Sequence, residues 1–170
     1  MFWKLGYTAT SIQHLVDAMG IERGSLYRTY GNKEQLFRKA VEHYSRHQAA
    51  RMPQGAPPLA MLRAYFDNNL EDTQNRQLPN GCLVINSAVE TPALPKRIQK
   101  LVHEHITNLR TFFRGCIEAA IATCQLPRSV APDEQADALL AAIIGINVMS
   151  RAGTPHAQLE RIANAALSFI

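Results

Sequence analysis

Cationic and hydroxyl side chains are concentrated in one short stretch of this chain, residues 23–33, which reads RGSLYRTYGNK. A guanidinium can form two hydrogen bonds to guanine, and lysine and hydroxyl groups can hold phosphate oxygens. This combination of residue types is suited to binding a polyanion. A basic surface helix can also be no more than a solvated face, so the interpretation depends on the elements that carry these residues.

Positive charge is concentrated in the same part of the chain. The 170 residues carry a net charge of +4. Residues 1–51 hold eight Lys/Arg against four Asp/Glu, whereas residues 52–170 hold ten of each. The whole positive surplus therefore lies in the first third, as expected if only that part meets an anion.

The run MPQGAPP at residues 52–58 divides the chain at the same place. Its prolines lack amide donors and disfavour helical backbone just before them, so no helix continues through it. We therefore predict a small N-terminal domain, residues 1–51, and a larger C-terminal domain, residues 52–170. Few alternating β-branched runs occur, which predicts an all-α fold. Turn signals separate five apolar stretches with helical periodicity, at residues 59–76, 81–90, 95–124, 132–152 and 155–170.

The first domain begins with a predicted short helix that has one apolar face. Thr10 or Ser11 can provide its N-cap. Gly20 ends it, because glycine adopts the left-handed C-cap conformation without a Cβ penalty. The apolar face consists of Ile12, Leu15, Val16 and Met19.

A second short helix is predicted over residues 23–30. Leu26 and Tyr30, four positions apart, can face inward, which leaves the cationic and hydroxyl side chains outside. Asn32, with Gln35 three residues later, predicts a capping box at the start of a third helix. The buried face of that helix would be Leu36, Phe37, Ala40, Val41 and Tyr44. Two short helices joined by a tight glycine turn make a helix-turn-helix arrangement.

Residues 6–37, GYTATSIQHLVDAMGIERGSLYRTYGNKEQLF, resemble the DNA-binding segment of the TetR/AcrR family of bacterial transcriptional regulators. The stretch NGCLVINSAVE at residues 80–90 is similar to one found in several branches of that family. The resemblance implies a helix-turn-helix DNA-binding head and a helical body for effector binding and dimerisation. The matching elements are Gly6-Tyr7, Thr8 to Ser11, Gly20, Leu26-Tyr27, Tyr30 and Lys33-Glu34.

The resemblance also implies roles for individual residues, with the second short helix entering the major groove. Arg23 is expected to read a base edge, Gln13 could reach another, and Lys33 should hold a phosphate. Gly24 leaves room for close approach, and Ser25 can serve base or backbone. The predicted DNA-contacting residues are Thr10, Ser11, Gln13, Arg23, Gly24, Ser25, Tyr27, Arg28, Thr29 and Lys33.

Members of this family carry a longer first helix before the Gly-aromatic pair, whereas only MFWKL precedes it here. Truncation or a misplaced start would explain the difference. We expect much of one wall of the head to be absent, which would leave Ile12, Val16 and Leu26 under-covered.

The last two apolar stretches are candidates for a dimer surface. Two copies reading a palindrome are the common solution for a head that makes few base contacts. In the resembling family the last two helices form a four-helix dimer interface, although the same residues could instead fill a monomer core. The predicted dimerisation residues are Leu139, Leu140, Ile143, Ile144, Leu159, Ile162 and Ala166.

The middle helices would hold an effector pocket, because pocket walls combine apolar side chains with a few polar groups. Each candidate taken alone could equally be a core or surface residue. The predicted ligand-binding residues are Tyr65, Phe66, Asn69, Cys82, Asn86, Asn108 and Phe112.

Cys82 is the one cysteine in a recognisable setting. We predict it at the second position of a helix opened by Asn80 or Gly81, where the helix dipole would lower the pKa of the thiol. A similar Gly-Cys-Leu cysteine is the reactive thiol in an electrophile-sensing branch of the resembling family. The alternative is that Cys82 packs as a small apolar residue.

Several function classes lack support in the sequence. No Gly-x-Ser-x-Gly, phosphate loop or paired acid constellation predicts an enzyme. The three cysteines form no CxxC pair, so we expect reduced thiols and no metal or other cofactor. No apolar run is long enough to span a membrane and no signal-peptide pattern occurs, so we expect a cytoplasmic protein.

The sequence therefore predicts a homodimeric repressor that binds a palindromic operator in double-stranded DNA. A small-molecule effector or thiol modification would release it. The alternative is a helical ligand carrier or adaptor without specific DNA binding, whose basic head only stabilises a partner.

Overall fold

The structure is a computed structural model that describes residues 1–75 and 81–170, and the regular elements in this part of the chain are all helical. The predicted all-α class is confirmed. A 3₁₀ turn, Thr91–Ala93, lies between the sixth and seventh helices. The helices are α1 Phe2–Leu5, α2 Ile12–Met19, α3 Arg23–Tyr30, α4 Lys33–Ala50, α5 Pro58–Gln74, α6 Leu83–Ala88, α7 Lys96–Ala122, α8 Pro132–Arg151 and α9 His156–Ala166.

Helices α5 to α9 occupy the five stretches predicted from apolar periodicity. Residue 76, the predicted end of the first stretch, lies outside the described residues. Within the described ranges, no helix has both the length and the apolar character that a membrane span requires.

The chain forms two compact units. The N-terminal unit comprises Met1–Ala50 and Cys82–Glu104, and the C-terminal unit comprises Arg51–Gly81 and His105–Ile170. The N-terminal unit contains ten Lys/Arg and six Asp/Glu, so it carries the whole positive surplus of the chain.

An aromatic cluster encloses the core of the N-terminal unit. The rings of Phe2 and Tyr7 each lie 5.1 Å from the fully buried ring of Phe37, in edge-on geometry. Val16 and Leu26 are buried and Ile12 is half-buried, so the expectation that Val16 and Leu26 would be under-covered is wrong.

Helix boundaries in the N-terminal unit follow local side-chain chemistry. The Oγ atom of Ser11 accepts a bond from the His14 amide at 3.0 Å, which makes Ser11 the N-cap of α2. Gly20 closes α2 in the left-handed conformation, with φ of 63°. The predicted box at α4 is present, because Asn32 and Gln35 exchange backbone-to-side-chain bonds of 2.9 and 3.2 Å.

Met19 departs from the predicted apolar face of α2. Its side chain is exposed in the last turn of α2, directly before the Gly20 cap. Leu15 and Val16 form the buried part of the stripe, and Ile12 is half-buried.

The core of the C-terminal unit is formed by apolar faces of α5, α7, α8 and α9. A pair of amides lies within it: Asn69 and Asn147 bond reciprocally at 3.4 and 3.3 Å. Asn147 also donates to the Ile143 carbonyl at 2.8 Å. Asn147 is buried and Asn69 is half-buried, and since buried polar groups require partners, this pair links α5 to α8.

Candidate nucleic-acid interface

Helix α3 is anchored by one buried residue and leaves the rest of its surface in solvent. Leu26 is fully buried, and Gly20 allows the tight turn that brings α3 against α2. The exposed residues of α3 include Arg23, Gly24, Tyr27, Arg28 and Thr29, and Ser25 is half-buried. Its outward face therefore consists of the cationic and hydroxyl groups singled out in the sequence.

Side chains from α2 and α3 meet on this face. The Arg23 Nη2 atom donates to Gln13 Oε1 at 3.1 Å, and Gln13 Nε2 donates to Asp17 Oδ1 at 2.7 Å. Within α3, Arg28 Nη2 donates to Ser25 Oγ at 3.3 Å. The two residues expected to reach base edges are thus adjacent in space.

Lys33 lies at the first position of α4 and is half-buried. Its Nζ atom donates to the Thr8 carbonyl at 3.3 Å and stands 4.4 Å from the centroid of the Tyr7 ring. Burial lowers the pKa of Lys33, and attraction to Glu90 partly opposes that shift. Because an ammonium carries three donors, the bond to Thr8 is compatible with a phosphate contact.

The position of Thr10 does not agree with its predicted contact with DNA. It is fully buried, and its hydroxyl donates to the Gly6 carbonyl at 2.5 Å. The Thr10 side chain therefore has no surface to offer DNA, since its hydroxyl stabilises the turn before α2. Ser11 is exposed at the N-cap.

Glu90 is a residue that sequence reasoning missed. Its carboxylate accepts bonds from the backbone amides of Tyr7 at 3.2 Å and Thr8 at 2.8 Å. More than eighty positions separate these partners, so no local pattern could reveal the contact. The sequence offers two indirect signals: Glu90 ends the family-like stretch at residues 80–90, and Gly6, whose backbone adopts φ of 83°, lies beside this carboxylate.

The predicted ligand-binding residues fall into both compact units. Cys82 and Asn86 are buried in the N-terminal unit. In the C-terminal unit, Tyr65 lies 5.8 Å from Phe112 and 6.5 Å from Phe66, ring to ring. The other two predicted residues of that unit differ in environment: Asn69 is half-buried and paired with Asn147, whereas Asn108 is exposed.

Cys82 is the N-cap of α6, one residue before the helix starts at Leu83, and it is buried. The prediction that it occupies the second helical position is therefore wrong. Asn80, one of the two predicted helix starts, lies outside the described residues. Cys124 is exposed, and burial raises the pKa of Cys116.

The predicted dimerisation residues separate into two groups. Leu139, Ile143 and Leu159 are buried in the core of their own chain, in the cluster that apolar residues of α5, α7, α8 and α9 form. These three have no surface for a partner. The half-buried members of the set are Leu140, Ile144, Ile162 and Ala166.

Two family models match this chain. The model described as "Bacterial regulatory proteins, tetR family" matches residues 1–40. The model described as "Tetracyclin repressor-like, C-terminal domain" matches residues 58–166. Together they cover both the helix-turn-helix and the helical body.

Individual proteins show the same similarity. The chain is 27% identical over 173 residues to the HTH-type transcriptional repressor ComR of Escherichia coli (strain K12), covering 98% of this chain and 82% of that protein. It is 36% identical over 124 residues to the uncharacterized HTH-type transcriptional regulator YezE of Bacillus subtilis (strain 168), covering 70% of this chain and 64% of that protein.

A solved structure extends the comparison to a DNA complex. A cysteine mutant of the TetR family transcriptional regulator CifR, complexed with 26-bp double-strand operator DNA, matches with a TM-score of 0.86 and 26% identity. The match covers 98% of this chain and 89% of that one. The matched proteins are transcriptional regulators rather than enzymes.

Proposed function

The chain belongs to the TetR family and is a DNA-binding transcriptional regulator, and we propose that it acts as a homodimeric repressor that reads a palindromic operator through α3. An effector that binds the helical body, or modifies it, would lower operator affinity. A regulator that binds operator DNA in a bacterial cell would act in the cytoplasm, where we expect this protein to be.

The observation that carries the proposal is the exposed face of α3. Arg23 stands at the N-terminal end of that helix, where a recognition helix meets base edges. Tyr27, Arg28 and Thr29 are exposed beyond it and are suited to phosphate contacts. The net positive charge of the N-terminal unit supports binding to duplex DNA.

The homodimer is supported by apolar side chains that remain accessible on α8. Leu140, Ile144 and Val148 are spaced at i, i+4 and i+8, and Val148 is 42% exposed. They form one stripe along the helix, because residues four apart share a face. Ile162 and Ala166 repeat that spacing on α9. Apolar stripes of this kind are suited to a two-fold interface, in which each patch meets its own copy.

Two observations support regulation by an effector. The aromatic rings of Tyr65 and Phe112 and the amides of Asn69 and Asn147 provide the mixture of apolar and polar groups typical of a ligand site. Cys82 offers a second route, because an electrophile bonded to a buried thiol would displace the start of α6.

Selection from a random duplex pool tests the proposal directly. The full chain should enrich sequences with two inverted half-sites, whose centres are about one duplex turn, roughly 34 Å, or a multiple of it apart. Affinity for the enriched duplex should fall steeply with salt. A helical ligand carrier or adaptor without specific DNA binding would enrich no sequence, and that result would overturn the proposal.

A further inference from the structure

The carboxylate of Glu90 bonds to the turn that leads into the DNA-reading helices. It accepts the Thr8 amide at Oε2, 2.8 Å away, and the Tyr7 amide at Oε1, 3.2 Å away. Consecutive amides directed at one carboxylate form a small anion-binding concavity. The carboxylate comes from the segment after α6, so it ties that segment to the turn before α2.

The turn is shaped around this carboxylate. Gly6 has φ of 83°, a backbone conformation that residues with side chains rarely adopt, and a Cβ there would overlap Glu90 Oε1. The Gly6 carbonyl accepts the buried hydroxyl of Thr10, which directly precedes the N-cap of α2. Glu90 and Thr10 therefore bond to neighbouring backbone groups of one turn: Glu90 to the Tyr7 and Thr8 amides, and Thr10 to the Gly6 carbonyl.

Lys33 bonds to the same turn, but as a donor to a backbone carbonyl rather than as an acceptor from backbone amides. Its Nζ atom bonds to the Thr8 carbonyl at 3.3 Å, while Glu90 holds the Thr8 amide at 2.8 Å. Glu90 also attracts the Lys33 ammonium. The turn is thus fixed by one acid and one base from separate parts of the N-terminal unit.

We propose that Glu90 is a positioning residue for DNA binding, which fixes the turn before α2 and thereby the orientation of α2 and α3. This inference rests on the proposed function, because it requires that α3 reads an operator. Glu90 acts through the Tyr7 and Thr8 amides and not through contact with DNA.

A positioning role and simple charge repulsion predict changes of opposite sign in operator affinity when Glu90 is neutralised. A carboxylate in a positively charged unit repels DNA, so removing it should strengthen binding if repulsion were its only role. If Glu90 is a positioning residue, its neutralisation should instead weaken operator binding. Random duplex should be affected less, because its binding depends on phosphate charge rather than on base contacts.

The experiment compares Glu90→Gln with Glu104→Gln in the full chain, by fluorescence anisotropy on the selected operator and on random duplex. Glu104 is exposed in the same unit and pairs with Lys100 at 3.7 Å, so its substitution removes the same charge without touching the turn. Glu90→Gln should weaken operator binding about tenfold, the equivalent of one charge-assisted hydrogen bond. Glu104→Gln should leave binding unchanged or tighter.

Equal or tighter operator binding by Glu90→Gln would overturn the inference. Losses of the same size on operator and random duplex would also overturn it, because a variant that merely unfolds loses both. If the parent chain bound operator no better than random duplex, the proposed function would fail and the inference with it.

A second variant keeps the test independent of one substitution. Glu90→Asp keeps the charge but shortens the side chain, so it should lose the bonds to the Tyr7 and Thr8 amides and weaken operator binding as Glu90→Gln does. Operator binding by Glu90→Asp at the level of the parent chain would show that the contact does not matter and would overturn the inference.

Discussion

Arg23 and Gln13 are joined across the turn between α2 and α3, with Arg23 Nη2 donating to Gln13 Oε1 at 3.1 Å. Both side chains are exposed. A guanidinium has five N–H donors, so this bond leaves enough donors for a bidentate contact to guanine. Gln13 therefore orients the side chain that we expect to read a base, at the N-terminal end of α3.

Lys33 gives a prediction on salt dependence. If its ammonium holds a phosphate, Lys33→Ala should lower the slope of log affinity against log salt by about one. Titrations over a range of salt concentrations measure that slope. Arg38→Ala is the control, because Arg38 is exposed on α4 and pairs with Glu42 at 3.7 Å. A slope unchanged in Lys33→Ala would remove Lys33 from the phosphate contacts.

Adjacent isoleucines on α8 distinguish the proposed dimer surface from the core. Ile144→Asp should yield folded monomers, because Ile144 is half-buried on the accessible stripe. Ile143→Asp should unfold the chain, because Ile143 is fully buried and burying an unpaired charge costs about 4 kcal/mol or more. Light scattering reports the mass, and far-UV circular dichroism reports the fold. An intact folded dimer of Ile144→Asp would reject this stripe as the interface.

Cys82 gives a prediction on thiol sensing. Exposed Cys124 should react with a mild electrophile before buried Cys82, and mass spectrometry can follow both thiols. Operator affinity should fall only as Cys82 becomes modified, and Cys82→Ser should resist the loss. Cys124→Ser is the matched control and should behave as the parent does. Full operator affinity after modification at Cys82 would favour a non-covalent effector instead.

His105 makes the stability of the C-terminal unit depend on pH. Burial lowers the pKa of His105, and its Nε2 atom has no hydrogen-bond partner among the described residues. The neutral imidazole therefore favours folding above the unfolded-state pKa of about 6.5, and that contribution is lost as pH falls through the lower folded pKa. Chemical denaturation should show a smaller decrease in unfolding free energy on acidification for His105→Gln than for the parent. An identical decrease in both would contradict this role.

Local chemistry was readable from the sequence. The Asn32 and Gln35 box is set by residues three apart, and the Gly20 cap requires only a residue that tolerates positive φ. Periodicity likewise located helices α5 to α9, because each must bury one face of many residues.

Features that depend on tertiary contacts were not readable. Thr10 was expected to face DNA but points inward, because the Gly6 carbonyl needs its hydroxyl. Ile143 and Ile144 are both apolar, so composition could not assign one to the core and the other to the accessible side. Glu90 binds a turn far away in the sequence, and only the folded chain brings them together.

The role of α3 in reading the operator is tested most directly by the effect of Arg23→Ala on the selected operator, on random duplex and on operators with single base-pair changes. If Arg23 reads a base, Arg23→Ala should cost about 1–3 kcal/mol on the operator and little on random duplex, and should relax the preference at one base pair in each half-site. Gln13→Ala in the Arg23→Ala background should add little at that base pair, because the two side chains are joined. Equal losses on operator and random duplex, with base preference intact, would contradict the assignment of α3 as the element that reads the operator.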